Sequence, residues 1–122
     1  MRAKAPLTSS EKLALAFEAA DGRKAQEIVA LDLRELTLVT DFFLICQGTS
    51  DVHLRGIAEA VLERFKQAGQ QLLGQEGFRE ARWILLDYGD LVVHIFAEEE
   101  REYYQLERLW AEAPRVALAP KR

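Results

Sequence analysis

The sequence predicts a single α/β domain in which a mixed β-sheet is flanked by helices, and three observations predict it. A chain of 122 residues is long enough to bury one core and too short for two. Its apolar residues fall into short aliphatic runs bounded by polar residues and into longer stretches with helical spacing, and the two kinds are interleaved. The strand-helix-strand passage from Asp41 to Asp87 favours a parallel crossover, whereas Tyr88-Gly89-Asp90 signals an antiparallel hairpin, so both orientations meet in one sheet.

Thr8 and Glu11 have the spacing of a capping box, and Leu13, Ala16, Phe17 and Ala20 then trace one helical face that ends near Asp21-Gly22. Residues 27–33 form a short aliphatic strand, and Asp41 to Gln47 a second one, apolar enough for burial on both faces. Gly48-Thr49-Ser50 is a turn. From Asp51, the residues Leu54, Ile57, Ala58, Val61 and Phe65 line one side of a helix, Arg55, Glu59, Glu63 and Lys66 line the other, and Gly69 stops it. Residues 69–80 are loop, with a short strand near Gln71-Leu72-Leu73. Trp83 to Asp87 and Leu91 to Phe96 pair across the hairpin. A last helix runs from Glu98 to Ala111 with Tyr103, Leu106, Leu109 and Trp110 toward the core, and Ala113-Pro114 ends it. The organisation expected is an N-terminal extension (1–8), one domain (9–113) and a short, mobile basic tail (114–122).

Composition excludes several classes. Hydrophobic residues at 49%, with three Pro and seven Gly, describe neither a disordered nor a fibrous chain. The apolar run from Phe42 to Cys46 falls far short of the roughly twenty residues of a membrane span. The N-terminus leads into a charged amphipathic stretch, not a signal-peptide core, and the single Cys46 offers no internal disulfide; both lead to the expectation of a cytoplasmic address. A net charge of −4 argues against whole-surface attraction to nucleic acid, DNA included. The charge is uneven: residues 86–113 carry −6 and residues 114–122 carry +3. The acidic stretch is either a face that attracts a basic partner or, at Glu98-Glu99-Glu100, simply the first turn of a helix, where anions suit the dipole.

Few residues suggest chemistry. Ser50, Asp51 and His53 cluster around a helix start, where Ser50 is better explained as a cap than as a nucleophile. Cys46, His53 and His94 lack zinc-site spacing, and Gly48 stands alone where a phosphate loop needs more glycines, so no metal or cofactor is expected. Asp87 and Asp90 form a closer pair, fit for a divalent cation or acid-base work, but Asp at both ends of a turn also satisfies turn backbone groups. In the last helix, spacing leaves Arg101 and Tyr104 for a surface, with Trp83 able to join either core or surface.

Taken together, residues 83–90, Val93-His94-Ile95-Phe96 and residues 101–110 resemble the ribosomal silencing factor family (RsfS, Iojap-like). Asp41-Phe42-Phe43-Leu44-Ile45, Gly48-Thr49-Ser50 and Glu76-Gly77 are similar to that family's motifs in the same order, over about residues 9–112. Gln47 departs from the small residue or Thr expected before the glycine, and the basic tail is an addition. The resemblance implies a nucleotidyltransferase-like topology without a working catalytic site. It implies a translation repressor that binds the large ribosomal subunit at universal large-subunit protein fourteen and keeps the small subunit from joining when nutrients are scarce. It also implies a homodimer when free, with no enzyme activity. Trp83, Asp87, Tyr88, Asp90, His94, Arg101, Tyr103 and Tyr104 are then the expected contact residues, aromatics as anchors and acids as partners for Lys or Arg. Apart from the resemblance, the basic end at Lys121 and Arg122 reads first as a flexible, solvated segment, with contact to ribosomal RNA as a secondary alternative. Two other readings stay open: a homodimeric adaptor with no ribosomal role, and a metal-dependent nucleotidyltransferase-like enzyme using Asp87 and Asp90.

Overall fold

Thr8 opens helix α1 (Ser9–Gly22) in the computed structural model of the chain, which describes residues 6–119. Its hydroxyl accepts from the Glu11 N–H at 3.1 Å while the Glu11 carboxylate accepts from the Thr8 N–H at 2.9 Å, so two donors with no helical partner are satisfied reciprocally. Strands β1 (Gln26–Asp32) and β2 (Phe42–Gly48) come next. Ser50 caps α2 (Asp51–Gln67) by accepting from the His53 N–H at 3.0 Å. The His53 ring accepts from Thr49 N–H at Nδ1 and lies 2.8 Å from the Arg23 carbonyl at Nε2, which ties the start of α2 to the end of α1. Ser50 and His53 thus serve the cap and the tether between the two helices.

Strands β3 (Gly74–Glu76), β4 (Trp83–Asp87) and β5 (Leu91–Ala97) precede two short helices, α3 (Glu98–Tyr104) and α4 (Leu106–Leu109), and a two-residue strand β6 (Arg115–Val116). The six strands of the described residues form one sheet in the order β3-β4-β5-β2-β1-β6. Only β2 and β5 run parallel, from Phe42 opposite Leu91 to Gly48 opposite Ala97; every other neighbour is antiparallel. Parallel strands cannot be joined by a tight turn, and α2 lies within the connection between these two. It packs with α1 on one face of the sheet, burying Leu13, Phe17, Leu54, Ile57, Val61 and Phe65 against Phe42, Leu44, Ile84, Leu86, Val93 and Ile95. Side chains alternate along each strand, so Phe43, Ile45, Trp83, His94 and Phe96 belong to the opposite face.

Within the secondary structure, the chain departs from the sequence expectations at the strand near residue 72, in the last helix and beyond residue 113. The strand expected near residues 71–73 lies at Gly74–Glu76, where pairing with β4 fixes the register; Leu73 contributes only its N–H, to the Asp87 carbonyl at 2.8 Å. The last helix is not continuous, because Gln105 adopts left-handed angles (φ 46°, ψ 53°) and splits it into α3 and α4. Tyr103 and Leu109, expected toward the core, are exposed in consequence. The sheet also runs past residue 113: the Pro114 carbonyl accepts from Asp32 N–H at 2.8 Å, and Arg115 and Val116 pair with Leu31 and Ala30. Pro114 has no N–H to give but stands just before the strand, where only its carbonyl is used, so the basic segment opens as an edge strand instead of a mobile tail. Lys121 and Arg122 lie outside the described residues, as do residues 1–5 of the expected extension. No helix among the described residues is long and apolar enough to cross a membrane.

Gly77 leaves no room for a side chain. Gly77 sits at φ +80°, and a Cβ there would stand 2.0 Å from the Trp83 carbonyl oxygen, whereas Gly22 has open space around it. Gly77→Ala is expected to lower the unfolding free energy by more than about 1 kcal/mol in a urea melt, and Gly22→Ala to leave it nearly unchanged.

Candidate functional site

The face of the sheet turned away from α1 and α2 is only partly roofed. Leu31, Leu33, Ile45, Phe96 and Ala113 are buried there, with Val29, Phe43, Trp83, Leu106 and Trp110 half-buried around them. Breaking the helix at Gln105 lets α4 and Trp110 fold back over β1 and β2, with the Trp110 ring edge-on to Phe43 at 6.0 Å. Beyond that roof the face stays open at Leu85, which pairs with His94, and at Val92, which pairs with Phe43. The loop between β1 and β2 adds exposed Leu36, Leu38 and Val39.

A chain of rings leads from this interior to solvent. The Trp83 Nε1–H donates to His94 Nδ1 at 3.1 Å, so the imidazole proton lies on Nε2, a buried atom without a partner. His94 is 4% exposed and touches Phe43 edge-on at 4.5 Å; burial pushes its pKa down to about 3. Trp83 stacks on Phe96 and lies 4.8 Å from Tyr104, and Tyr104 meets Tyr103, which is 81% exposed. The inner members hold the indole in place and the outer members present aromatic surface, a composition common at binding hot spots.

Arg101 fixes the frame around these rings. Its guanidinium pairs with Glu107 across the helix break at 2.9 Å and donates to Gln47 Oε1 of β2 and to the Glu27 carbonyl. Glu27 has φ 50° at an irregularity in the β1·β2 register, which turns its carbonyl out of the ladder. The helix, two strands and α4 are thus joined at one side chain only 11% exposed. Outside it, Arg82 pairs with Glu100 at 2.6 Å and Glu99 at 3.5 Å, while the exposed Glu98 and Glu102 have no ion-pair partner among the described residues. The surface beside Trp83, Tyr103 and Tyr104 is therefore acidic.

The eight residues expected to meet a partner do not form one patch. Trp83, Tyr103 and Tyr104 reach the surface together, with His94 and Arg101 behind them; Arg101, expected to be exposed, is a half-buried clamp. Tyr88 points to the other face, stacked on Phe65 at 4.0 Å and 3% exposed, with burial pushing its hydroxyl up to about 12; it is core. Asp87 and Asp90 stand at the far end of the hairpin, four residues and about 13 Å along β4 from Trp83. Nor do they act as a pair: Asp87 accepts from Gly89 N–H at 2.8 Å within the turn, and Asp90 binds Lys12 Nζ at 2.8 Å. The turn reading holds for Asp87, whereas the Asp90 carboxylate is turned to Lys12 of α1 instead of to a turn backbone group. Phe43, Leu85 and Val92 were not singled out by sequence, since a continuous apolar strand gives no sign of which face is left uncovered.

Comparison with known proteins adds the family. Residues 6–122 match the family model described as ribosomal silencing factor during starvation. The chain is 43% identical over 112 residues to ribosomal silencing factor RsfS of Halalkalibacterium halodurans, covering 92% of this chain and 96% of that protein. It is 47% identical over 102 residues to RsfS of Bacillus subtilis, covering 84% and 86%. A mouse relative, named mitochondrial assembly of ribosomal large subunit protein 1, is 30% identical over 89 residues, 70% of this chain and 39% of that protein. Among solved structures, a Bacillus halodurans protein superposes with TM-score 0.81 at 43% identity (89% and 99% covered), and protein CV0518 of Chromobacterium violaceum with 0.85 at 31% (94% and 95%).

The geometry makes two outcomes measurable. An unfolded histidine takes its proton near pH 6.5 and His94 in the fold only near 3, so the unfolded state binds more protons between these values. The contribution is complete above pH 6.5 and falls as the pH drops toward 3, by about 1.4 kcal/mol per unit; denaturant melts at stepped pH are expected to show this slope in the wild type and lose it in His94→Gln. Arg101→Leu strands Glu107 and the Glu27 carbonyl, and is expected to destabilise the domain by about 2 kcal/mol, read in the same melts.

Proposed function

The chain belongs to the ribosomal silencing factor family, and from that premise we propose that it represses translation by binding the large ribosomal subunit at universal large-subunit protein fourteen, so that the small subunit cannot join. Among its relatives, the mouse protein's name ties it to assembly of the large subunit. The observation that carries the reading is the surface formed by Trp83, Tyr104 and Tyr103 beside Glu98 and Glu102, on the sheet face that α1 and α2 leave free. Aromatic anchors backed by packed rings suit a protein contact, and the unpaired carboxylates suit a basic one, speeding the encounter. Occupying the surface is sufficient to block joining; the reading asks no bond to be made, and Cys46, a potential nucleophile, is buried with its thiol pushed up to about 12. The site of action is the cytoplasm, where ribosomes initiate, and nutrient limitation is the condition for it.

The free protein is a homodimer in this reading. Half-open apolar Phe43, Leu85 and Val92, with exposed Leu36, Leu38 and Val39, supply surface that a second copy would cover. A dimeric adaptor without a ribosomal role rests on the same residues.

Co-sedimentation with separated subunits, then a subunit-joining assay, tests the proposal. The protein is expected to pellet with the large subunit alone and to reduce joined ribosomes. Tyr104→Ala is expected to weaken pelleting about tenfold without changing the melting temperature, as loss of a hot-spot side chain does; Asp87→Lys, at the hairpin's far end, has a smaller effect. Failure of the wild type to pellet would leave the adaptor reading.

A further inference from the structure

Below the fold-back of α4 lies a cleft of about 510 Å³, distinct from the aromatic surface. Leu31 and Ala113 form an apolar part of its lining, the half-buried Trp110 indole another, and Arg101, Arg108 and Arg115 line it with Glu107. Arg101 and Glu107 neutralise each other. Arg108 and Arg115 do not find a carboxylate: both are exposed, Arg108 donates to the neutral Gln105 amide at 3.0 Å, and neither has an ion-pair partner among the described residues. Register places Arg115 on this face, because it pairs with Leu31, which faces the cleft, while the next residue, Val116, packs with the α1 and α2 core. Glu112 neighbours the cleft in sequence but does not line it. In a chain of net charge −4, the lining carries +2.

Two guanidiniums with unused donors beside an indole are the groups that hold a phosphate and stack a base. We propose that this cleft binds a nucleotide unit, with Arg108 and Arg115 on the phosphate and Trp110 against the base, either as a free mononucleotide or within a single RNA strand. The inference does not rest on the large-subunit reading. It needs neither Tyr104 nor universal large-subunit protein fourteen.

Fluorescence anisotropy of a labelled ten-nucleotide oligouridylate in 50 mM potassium chloride tests it, with adenosine monophosphate as competitor. The wild type is expected to bind, with affinity falling with salt at a log-log slope of about −0.7 for the one phosphate that the two arginines share. Arg108→Gln combined with Arg115→Gln is expected to weaken binding at least about tenfold, whereas Lys66→Gln, an exposed cation at the end of α2, leaves it unchanged. Each single arginine variant is read as well, with melts confirming that all are folded. Displacement by adenosine monophosphate supports a free nucleotide as the occupant; binding that it fails to displace supports an RNA strand. No binding of either probe, or equal binding by the double variant, overturns the proposal.

Discussion

Pairing β2 in parallel with β5 is the constraint on which the rest of the architecture depends. Parallel neighbours need a long connection, and here that connection contains α2 together with β3 and β4. With α1 beside it, α2 seals one face of the sheet so fully that Phe42, Leu44, Leu86, Val93 and Ile95 are all buried. Among the described residues no long helix remains for the second face. A sheet apolar on both sides must then be roofed by the short stretch of chain beyond β5, and two short helices are not wide enough to do so completely.

Arg101 is the device that makes so short a roof hold. A continuous helix from Glu98 would carry residues 106–110 along its own axis; the left-handed Gln105 turns the chain so that Leu106 and Trp110 reach the sheet. The break exposes helix-end groups and removes helical continuity, which Arg101 offsets by binding Glu107 beyond it and β1 and β2 beneath it. The same geometry leaves Trp83 and Tyr104 uncovered to one side and opens the arginine-lined cleft to the other. Both candidate sites are consequences of how the second face is closed.

Much of this fold is legible in the residues. The capping box at Thr8, the face of α2 from Leu54 to Phe65 and the Tyr88-Gly89-Asp90 hairpin all lie where local signals place them, because each depends on neighbours within a few positions. The features that sequence does not reveal depend on distant partners. The break at Gln105 has no Gly or Pro to announce it and is held by an ion pair to Glu107 and a carbonyl seventy-four residues away in sequence from Arg101. Tyr88 has the setting of an exposed turn but pairs with Phe65, and only the strand register shows which face its ring takes. In the same way Arg115-Val116 is too short to show strand periodicity, and its pairing belongs to β1.

The sheet ends in strands of three and two residues, β3 on one side and β6 on the other. Edges so short offer few unpaired backbone groups in a row to a strand from another molecule, while the long apolar strands β5 and β2 stay in the interior of the order. β6 covers only Ala30 and Leu31 of β1, yet that is the part of β1 that is buried and apolar. Trimming the chain back to Ala113 would bare that ladder, and the cost would show as self-association and lost solubility before it showed as lost binding.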